Sequence, residues 1–193
     1  MDYKIILVII AASIAALSYV PYIKSMIKGI TKPHAFSWLI WSVIASITFA
    51  AQITSGAGAG ALVSAWNTIL CLFIFVFALK NGEKNIAFLD WLSLGGAVIS
   101  LFFWYLTSSP LITVIIITII DCIAFIPTLR KSYHAPAEEN ASLFIISSMS
   151  YVIALFAMAT HSVITVLNPF VLIIANCSFS LFLFWRRNRI IKD

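Results

Sequence analysis

Two asparagines stand at matching distances from basic residues inside otherwise apolar stretches. Asn67 lies 13 residues before Lys80, and Asn176 lies 13 residues before Arg189. With a helical rise of about 1.5 Å per residue, both amides would sit ~20 Å from these basic residues and therefore at one depth. A facing pair of amides could bind the hydroxyl groups or the carboxylate of a small solute. The alternative is that each amide only hydrogen-bonds to a neighbouring helix.

One carboxyl group also lies deep inside an apolar stretch. Asp121 stands 9 residues before Arg130, which is ~14 Å along a helix axis and therefore close to the middle of a bilayer. A carboxylate at that depth is costly unless it is protonated, paired or exposed to water. We therefore interpret Asp121 as a proton-binding or cation-binding residue. The alternative is a protonated carboxyl group that hydrogen-bonds to a neighbouring helix.

Two tryptophans and two prolines complete the set of candidate functional residues. Trp41 and Trp66 lie far enough inside apolar stretches to stack on a ligand, although each could equally pack against other helices. Pro21 and Pro127 each remove one helical hydrogen bond near the end of an apolar stretch, which permits a local bend. We predict that both prolines act as hinges; the alternative is that each only ends its helix.

The sequence lacks the residue patterns of the common enzyme and metal sites. It contains no spacing typical of a nucleophile with its base and acid, no glycine-rich phosphate loop and no cluster of metal ligands. The cysteines lie singly in apolar stretches and are interpreted as small buried hydrophobic residues: Cys71, Cys122 and Cys177. We therefore expect no enzyme activity, no cofactor and no bound metal.

The elements that would hold these residues are apolar helices. Of the 193 residues, 62% are hydrophobic and only 10% are charged, and the mean hydropathy is +1.06, which is more apolar than soluble domains. A helix needs ~20 apolar residues to cross a bilayer core of ~30 Å. Seven stretches predict an all-α membrane protein with seven transmembrane helices, at about 5–23, 35–54, 61–79, 87–106, 110–129, 142–160 and 163–185.

The distribution of basic residues predicts the orientation of these helices. Lys4 precedes the first stretch, whereas the other 11 of the 12 basic residues fall in the first, third and fifth connections or in the carboxyl-terminal tail. Basic residues stay on the cytoplasmic side, so seven crossings place the amino terminus outside and the carboxyl terminus in the cytoplasm. This topology explains the net charge of +5, so no nucleic-acid partner is expected.

The chain also matches itself over much of its length. The segment 17–24 aligns with 123–130, so that Pro21 falls on Pro127, and further along Asn67 falls on Asn176, with a shift of 105 to 109 residues. Three helices and one linking helix make an even number of crossings, so both triplets enter the membrane in the same direction. The sequence therefore predicts two parallel three-helix repeats, residues 1–80 and 109–193, joined by a linker transmembrane helix within 81–108.

This arrangement resembles the SWEET and PQ-loop transporter superfamily. The shared features are the order of three, one and three helices, an external amino terminus, a proline shortly before a basic residue at the end of the first and fifth helices, and an asparagine within the third and seventh. The resemblance covers nearly the whole chain. It implies a carrier that works by alternating access between the two repeats, with its substrate site between them.

Together these patterns predict a membrane transporter for a small polar solute, sugar-like or amino-acid-like, bound by Asn67, Asn176, Trp41 and Trp66. Uniport and proton coupling through Asp121 both stay open, as do the solute, the direction of transport and assembly into a homo-oligomer. The expected location is the lipid bilayer of a bacterial inner membrane. Two alternatives remain: a ligand-binding or sorting receptor of the same fold without net transport, and a membrane-embedded assembly subunit.

Overall fold

The computed structural model describes residues 3–83, 87–107 and 109–190. Their regular secondary structure consists of seven α-helices, two short 3-10 turns at Gly58–Ala61 and Pro136–Glu138, and an isolated β-bridge between His34 and Glu83. The helices are α1 (Tyr3–Ile27), α2 (Ala35–Thr54), α3 (Leu62–Asn81), α4 (Phe88–Thr107), α5 (Pro110–His134), α6 (Ala141–Ala157) and α7 (Val163–Ile190).

Most of these helices are suited to a membrane by their length and composition. Within the described residues, α6 is a shorter apolar helix of 17 residues, at the lower limit of the usual length for a span. Five segments are long and apolar enough to cross a bilayer: Tyr3–Ile27, Ala35–Thr54, Gly58–Asn81, Pro110–His134 and Val163–Arg189. The chain is therefore all-helical with several long apolar helices, which indicates an integral membrane protein.

The outward surface of the helices is apolar. Large aliphatic and aromatic side chains are exposed along them, for example Leu17 at 63%, Phe156 at 67% and Leu181 at 69% of their maximum. Monomeric soluble proteins rarely present contiguous apolar patches of this extent. A surface of this kind is suited to contact with lipid acyl chains.

Local sequence signals set several helix ends. His34 precedes α2 and its Nδ1 accepts a hydrogen bond from the Ser37 backbone N–H, and Asn140 precedes α6 and its Oδ1 accepts one from Ser142. These are side-chain caps of helix amino termini. α1 ends where Gly29 adopts a φ of 71°, and the next N–H then bonds back to the Ser25 carbonyl. A residue with positive φ is the usual end of a helix, and glycine adopts it without strain.

The prolines inside helices do not end them. α1 continues beyond Pro21 to Ile27, and the backbone of α5 stays helical from Pro110 through position 127 to His134. The alternative that these two prolines end their helices is therefore wrong. Their role as hinges stays a prediction, and the side chain of Pro127 lies outside the described part of the chain. α7 contains a further proline, Pro169.

Two sets of three helices make the same pattern of contacts. α1 and α2 each pack against α3, while α5 and α6 each pack against α7. Across the sets, α1 packs on α6 and α2 packs on α5. Exchanging α1, α2 and α3 for α5, α6 and α7 therefore reproduces these contacts. α4 packs against α5 and α2, where the rings of Phe36 and Trp91 meet with 4.9 Å between their centroids.

Contacts between the connections define two ends of the bundle. At the first, which we call the basic end, segment 28–34 after α1 meets segment 135–140 and the end of α5, and segment 135–140 in turn meets the last turns of α7. At the second, which we call the opposite end, segment 55–61 meets segment 158–162. Because α1 and α5 both finish at the basic end, these two helices run in the same direction.

Candidate functional site

A cavity lies between the two sets of helices. α1, α2 and α3 contribute to its walls, and so do α5, α6 and α7. The lining combines aromatic side chains with polar ones, the latter being Tyr19, Thr48, Ser64, Asn67, Asp121, Ser147, Tyr151, Asn168 and Asn176.

The cavity brings together four of the candidate residues chosen from the sequence. Asn67, Asn176, Trp41 and Asp121 all line it. Trp66 does not line it and is 37% exposed on α3. The reason is geometric: adjacent residues of an α-helix point about 100° apart, so Trp66 faces away when Asn67 faces the cavity. The solute-binding roles of these residues stay predictions.

The two asparagine amides differ in their partners. Tyr19 Oη, from α1, donates a hydrogen bond of 2.9 Å to Asn67 Oδ1 of α3. The amide of Asn176 has no hydrogen-bond partner within the described residues, although the residue is only 6% exposed. A buried polar group left without a partner costs about 1–3 kcal/mol. Asn67 therefore acts in part as a link between helices, whereas Asn176 offers its donors and acceptor to the cavity.

Asp121 is held by a chain of side chains that crosses three helices. The residue is 4% exposed, and its Oδ2 accepts a hydrogen bond of 3.1 Å from Asn168 Nδ2 of α7. Asn168 Oδ1 in turn accepts one of 3.4 Å from Thr48 Oγ1 of α2. These neutral partners orient the carboxyl group without supplying a positive charge. No lysine, arginine or histidine lines the described cavity.

A second polar chain lies nearer to the opposite end. Ser64 Oγ of α3 donates a hydrogen bond of 2.8 Å to Gln52 Oε1 of α2. Gln52 Nε2 then donates one of 3.2 Å to the main-chain carbonyl of Thr165 in α7. Gln52 and Thr165 are both fully buried. These hydrogen bonds link the first set of helices to the second, between Asp121 and the opposite end.

Aromatic rings form one wall of the cavity. Trp41 packs edge-to-face on Trp38 with 5.1 Å between centroids, and 5.2 Å separates it from the ring of Phe125. Trp38, Phe125 and Phe144 also line the cavity. The Nε1 atom of Trp41 is buried and has no hydrogen-bond partner among the described residues. The wall therefore presents aromatic rings to the cavity.

Charged groups from both sets meet at the basic end. Lys131 at the end of α5 pairs with Glu139 at 3.2 Å, with side chains only 10% and 3% exposed, and it also donates to the carbonyl of Lys32. Arg187 of α7 donates to the Glu139 carbonyl at 2.6 Å. The exposed pair Lys32 and Glu138 lies 3.0 Å apart, and hydrogen bonding to Glu138 raises the pKa of the Lys32 ammonium group.

The two sets meet at the opposite end mainly through bonds to main-chain groups. Ala159 N donates to the Ala57 carbonyl at 3.0 Å, and Thr160 Oγ1 donates to the Gly56 carbonyl at 3.0 Å. At Gly60 a Cβ atom would lie 3.0 Å from Met158 Cα, so only glycine permits this close approach. Contacts between the two sets therefore join them at this end too.

Several residues of the site are not apparent from the sequence pattern. Asn168, Thr48 and Tyr19 hold the candidate residues in place, but single hydroxyl and amide groups are common in membrane helices. The Asn168–Pro169 pair within an apolar stretch was the available signal, because a proline inside a helix leaves a carbonyl without its partner.

No known protein family, curated protein or solved structure matches this chain.

Proposed function

We propose that this protein is a membrane carrier of the SWEET or PQ-loop type, which moves a small polar solute by alternating access. In this proposal, residues 1–80 and 109–193 form two parallel three-helix repeats, residues 81–108 contain the linker, and the amino terminus is external. The observation that carries the proposal is the cavity itself, because both sets of helices contribute to its walls and it contains a buried carboxyl group and a buried free amide.

The pattern of helix contacts supports two equivalent halves. Each half has a helix packed against both of the others, and the contacts between the halves are made by corresponding pairs of helices. A solute site between parallel repeats is one recognised design of transporter. Because the contacts are matched, a rocking motion would exchange one set of interfaces for its counterpart. The states open to either side of the membrane would then have similar energies.

Alternating access requires that each end of the cavity can open separately. At the basic end, the contacts between halves are the Lys131 bond to the Lys32 carbonyl and the exposed pair of Lys32 with Glu138. At the opposite end they are the bonds of segment 55–61 to segment 158–162, with Gln52 beneath them. Both sets consist of a few polar contacts that can break one at a time, so either end can serve as a gate.

Asp121 is the residue in this mechanism that binds a proton or a cation. Its carboxyl group is buried between α5 and α7 and faces the cavity. A charge at this site is stabilised when a positive ligand enters, and it is removed when a proton binds. Asp121 can therefore couple solute binding to the movement of a positive charge through the bilayer.

The test is counterflow in proteoliposomes. Proteoliposomes that contain the purified protein would be loaded with an unlabelled sugar, amino acid or small vitamin. Uptake of the same solute in labelled form would then be measured with and without a pH gradient. Exchange that depends on Asn176 supports the carrier, and the control is Thr68→Val, because Thr68 bonds only to the Ser64 carbonyl one turn away and does not line the cavity. Saturable binding without exchange would instead identify a receptor.

A further inference from the structure

The charges around the cavity are unbalanced. Asp121 is the one carboxylate in its described lining, and no basic side chain accompanies it. The other titratable groups that line the cavity are neutral when protonated: Tyr19, Cys71 and Tyr151. A buried carboxylate needs either a proton or a positive partner. The protein supplies no such partner from the elements that surround the cavity, so a ligand can do so.

The carboxyl group has an oxygen that remains available. Asn168 donates to Oδ2 of Asp121, and no described hydrogen bond involves Oδ1. The amide of Asn168 fixes the orientation of the carboxyl group, and its own oxygen is already bonded to Thr48. This arrangement resembles a positioned counter-ion more than a packing contact, because a packing contact would use both oxygens.

The aromatic wall suits the same kind of ligand. The ring centroids of Trp38 and Trp41 are 5.1 Å apart, and those of Trp41 and Phe125 are 5.2 Å apart. All three rings line the cavity that Asp121 lines. Ammonium groups bind to the faces of such rings within about 6 Å of the centroid. A carboxylate and several aromatic rings in the lining of one cavity together favour a positive charge with an organic body.

We propose that the solute of this cavity is an organic cation with one ammonium group, paired with Asp121 and packed against Trp41 and Phe125. The proposal rests on the carrier function proposed above and names its substrate class. The unpartnered amide of Asn176 binds a hydroxyl or carbonyl oxygen of the same solute. A solute with a net negative charge is excluded, because Asp121 repels it and no cation compensates.

The experiment compares matched ligands that differ only in charge. Choline is paired with its neutral isostere, in which carbon replaces the nitrogen, and benzylamine is paired with benzyl alcohol. Binding to the full-length protein in nanodiscs would be measured by calorimetry at neutral pH, and counterflow of each labelled compound would be measured in proteoliposomes. We expect at least one cation to bind on the order of tenfold more tightly than its neutral counterpart.

Variants test whether Asp121 and Phe125 cause the preference for the cation. Asp121→Asn retains the shape and the Asn168 contact, so it removes the preference for the cation, whereas Asp121→Glu retains it. Phe125→Leu weakens binding of the cation by about threefold to thirtyfold, the range expected for a lost cation–π contact. The control is Phe156→Leu, since Phe156 is 67% exposed and lies away from the cavity, and it leaves the affinity unchanged.

The outcomes separate this inference from the carrier proposal. Equal affinity for each cation and its isostere overturns the cation inference, and so does a preference that survives in Asp121→Asn. Counterflow of a neutral sugar under those conditions would leave the carrier proposal intact. Cation binding that needs Asp121 without any counterflow supports the ligand class and overturns the carrier.

Discussion

Gln52 of α2 donates a hydrogen bond of 3.2 Å to the main-chain carbonyl of Thr165 in α7. This carbonyl stands four residues before Pro169, which has no N–H, so it lacks its usual helical partner. Gln52 supplies the missing donor, and Ser64 satisfies the other end of the same amide. One buried side chain thus compensates for a break in the hydrogen bonds of α7 and joins that helix to α2 and α3.

Replacing Gln52 should therefore destabilise the protein in a way that depends on Pro169. Gln52→Leu leaves the Thr165 carbonyl and the Ser64 hydroxyl buried without a partner, and each such group costs about 1–3 kcal/mol of unfolding free energy. In a Pro169→Ala background the restored N–H satisfies the carbonyl, so the same substitution costs less. A double-mutant cycle of unfolding in detergent micelles measures the difference. Equal losses in both backgrounds would contradict this relationship.

The two asparagines should respond differently to truncation. Asn67→Ala leaves the buried Tyr19 hydroxyl without the partner 2.9 Å away, so we expect a loss of about 1 kcal/mol in the free energy of unfolding. Asn176→Ala removes an amide with no protein partner in the described structure, so stability should be retained while solute affinity falls. Thermal unfolding and binding would be measured on the same preparations. Similar losses of stability for both variants would assign both asparagines to helix packing.

The sequence predicted the position of most helices, and the differences have local causes. The stretch 35–54 agrees with α2 because His34 caps it and the apolar run ends where the helix does. The stretches that end at 23 and 129 are too short, since the helices continue through the basic residues Lys24 and Arg130 to Ile27 and His134. The stretch 142–160 is too long because Met158 leaves the helix to pack against Gly60.

The sequence identified the polar residues of the cavity better than their surroundings. Asp121 and the asparagines stand out because charged and amide groups are costly in apolar segments. Which way a residue faces depends on the rotation of its helix, which neighbouring helices set, and this is why Trp66 was chosen although it is exposed. The roles of Tyr19, Thr48 and Asn168 as hydrogen-bond partners can be recognised only when α1, α2 and α7 are packed around the cavity.

The buried ion pair at the basic end should control access to the cavity. Lys131, whose side chain is only 10% exposed, donates to the Lys32 carbonyl of the other half. Glu139→Gln removes the charged partner that holds Lys131 in this position, so the closed state loses stability. Cys71 lines the cavity and is 2% exposed, which makes it a native reporter of opening. In protein with Cys122 and Cys177 replaced by alanine, we expect a water-soluble thiol reagent to label Cys71 about tenfold faster, equivalent to ~1.4 kcal/mol.

The neighbouring glutamate provides the matched control for this experiment. Glu138 pairs with Lys32 at 3.0 Å, but the side chains are 33% and 48% exposed, and exposed pairs contribute little. Glu138→Gln should therefore leave the labelling rate of Cys71 nearly unchanged. Equal acceleration by Glu138→Gln and Glu139→Gln would mean that general loss of charge, and not the buried pair, opens this end.

Pro21 should affect the rate of transport more than the affinity. Pro21→Ala restores a hydrogen bond to the Leu17 carbonyl four residues earlier and stiffens α1, because the missing bond is what permits a bend. If each opening of the gate must now break a bond of about 1 kcal/mol, counterflow slows about fivefold while the dissociation constant is unchanged.

Pro110→Ala is the appropriate comparison for Pro21→Ala. Pro110 lies in the first turn of α5, where a helix leaves its N–H groups without intrahelical partners, so its replacement restores no bond. The rate of counterflow should therefore be unchanged in Pro110→Ala and reduced in Pro21→Ala, with initial rates and binding measured on both. A Pro21→Ala variant that transports at the original rate would remove the hinge from the mechanism, because a straight α1 would then be sufficient for opening.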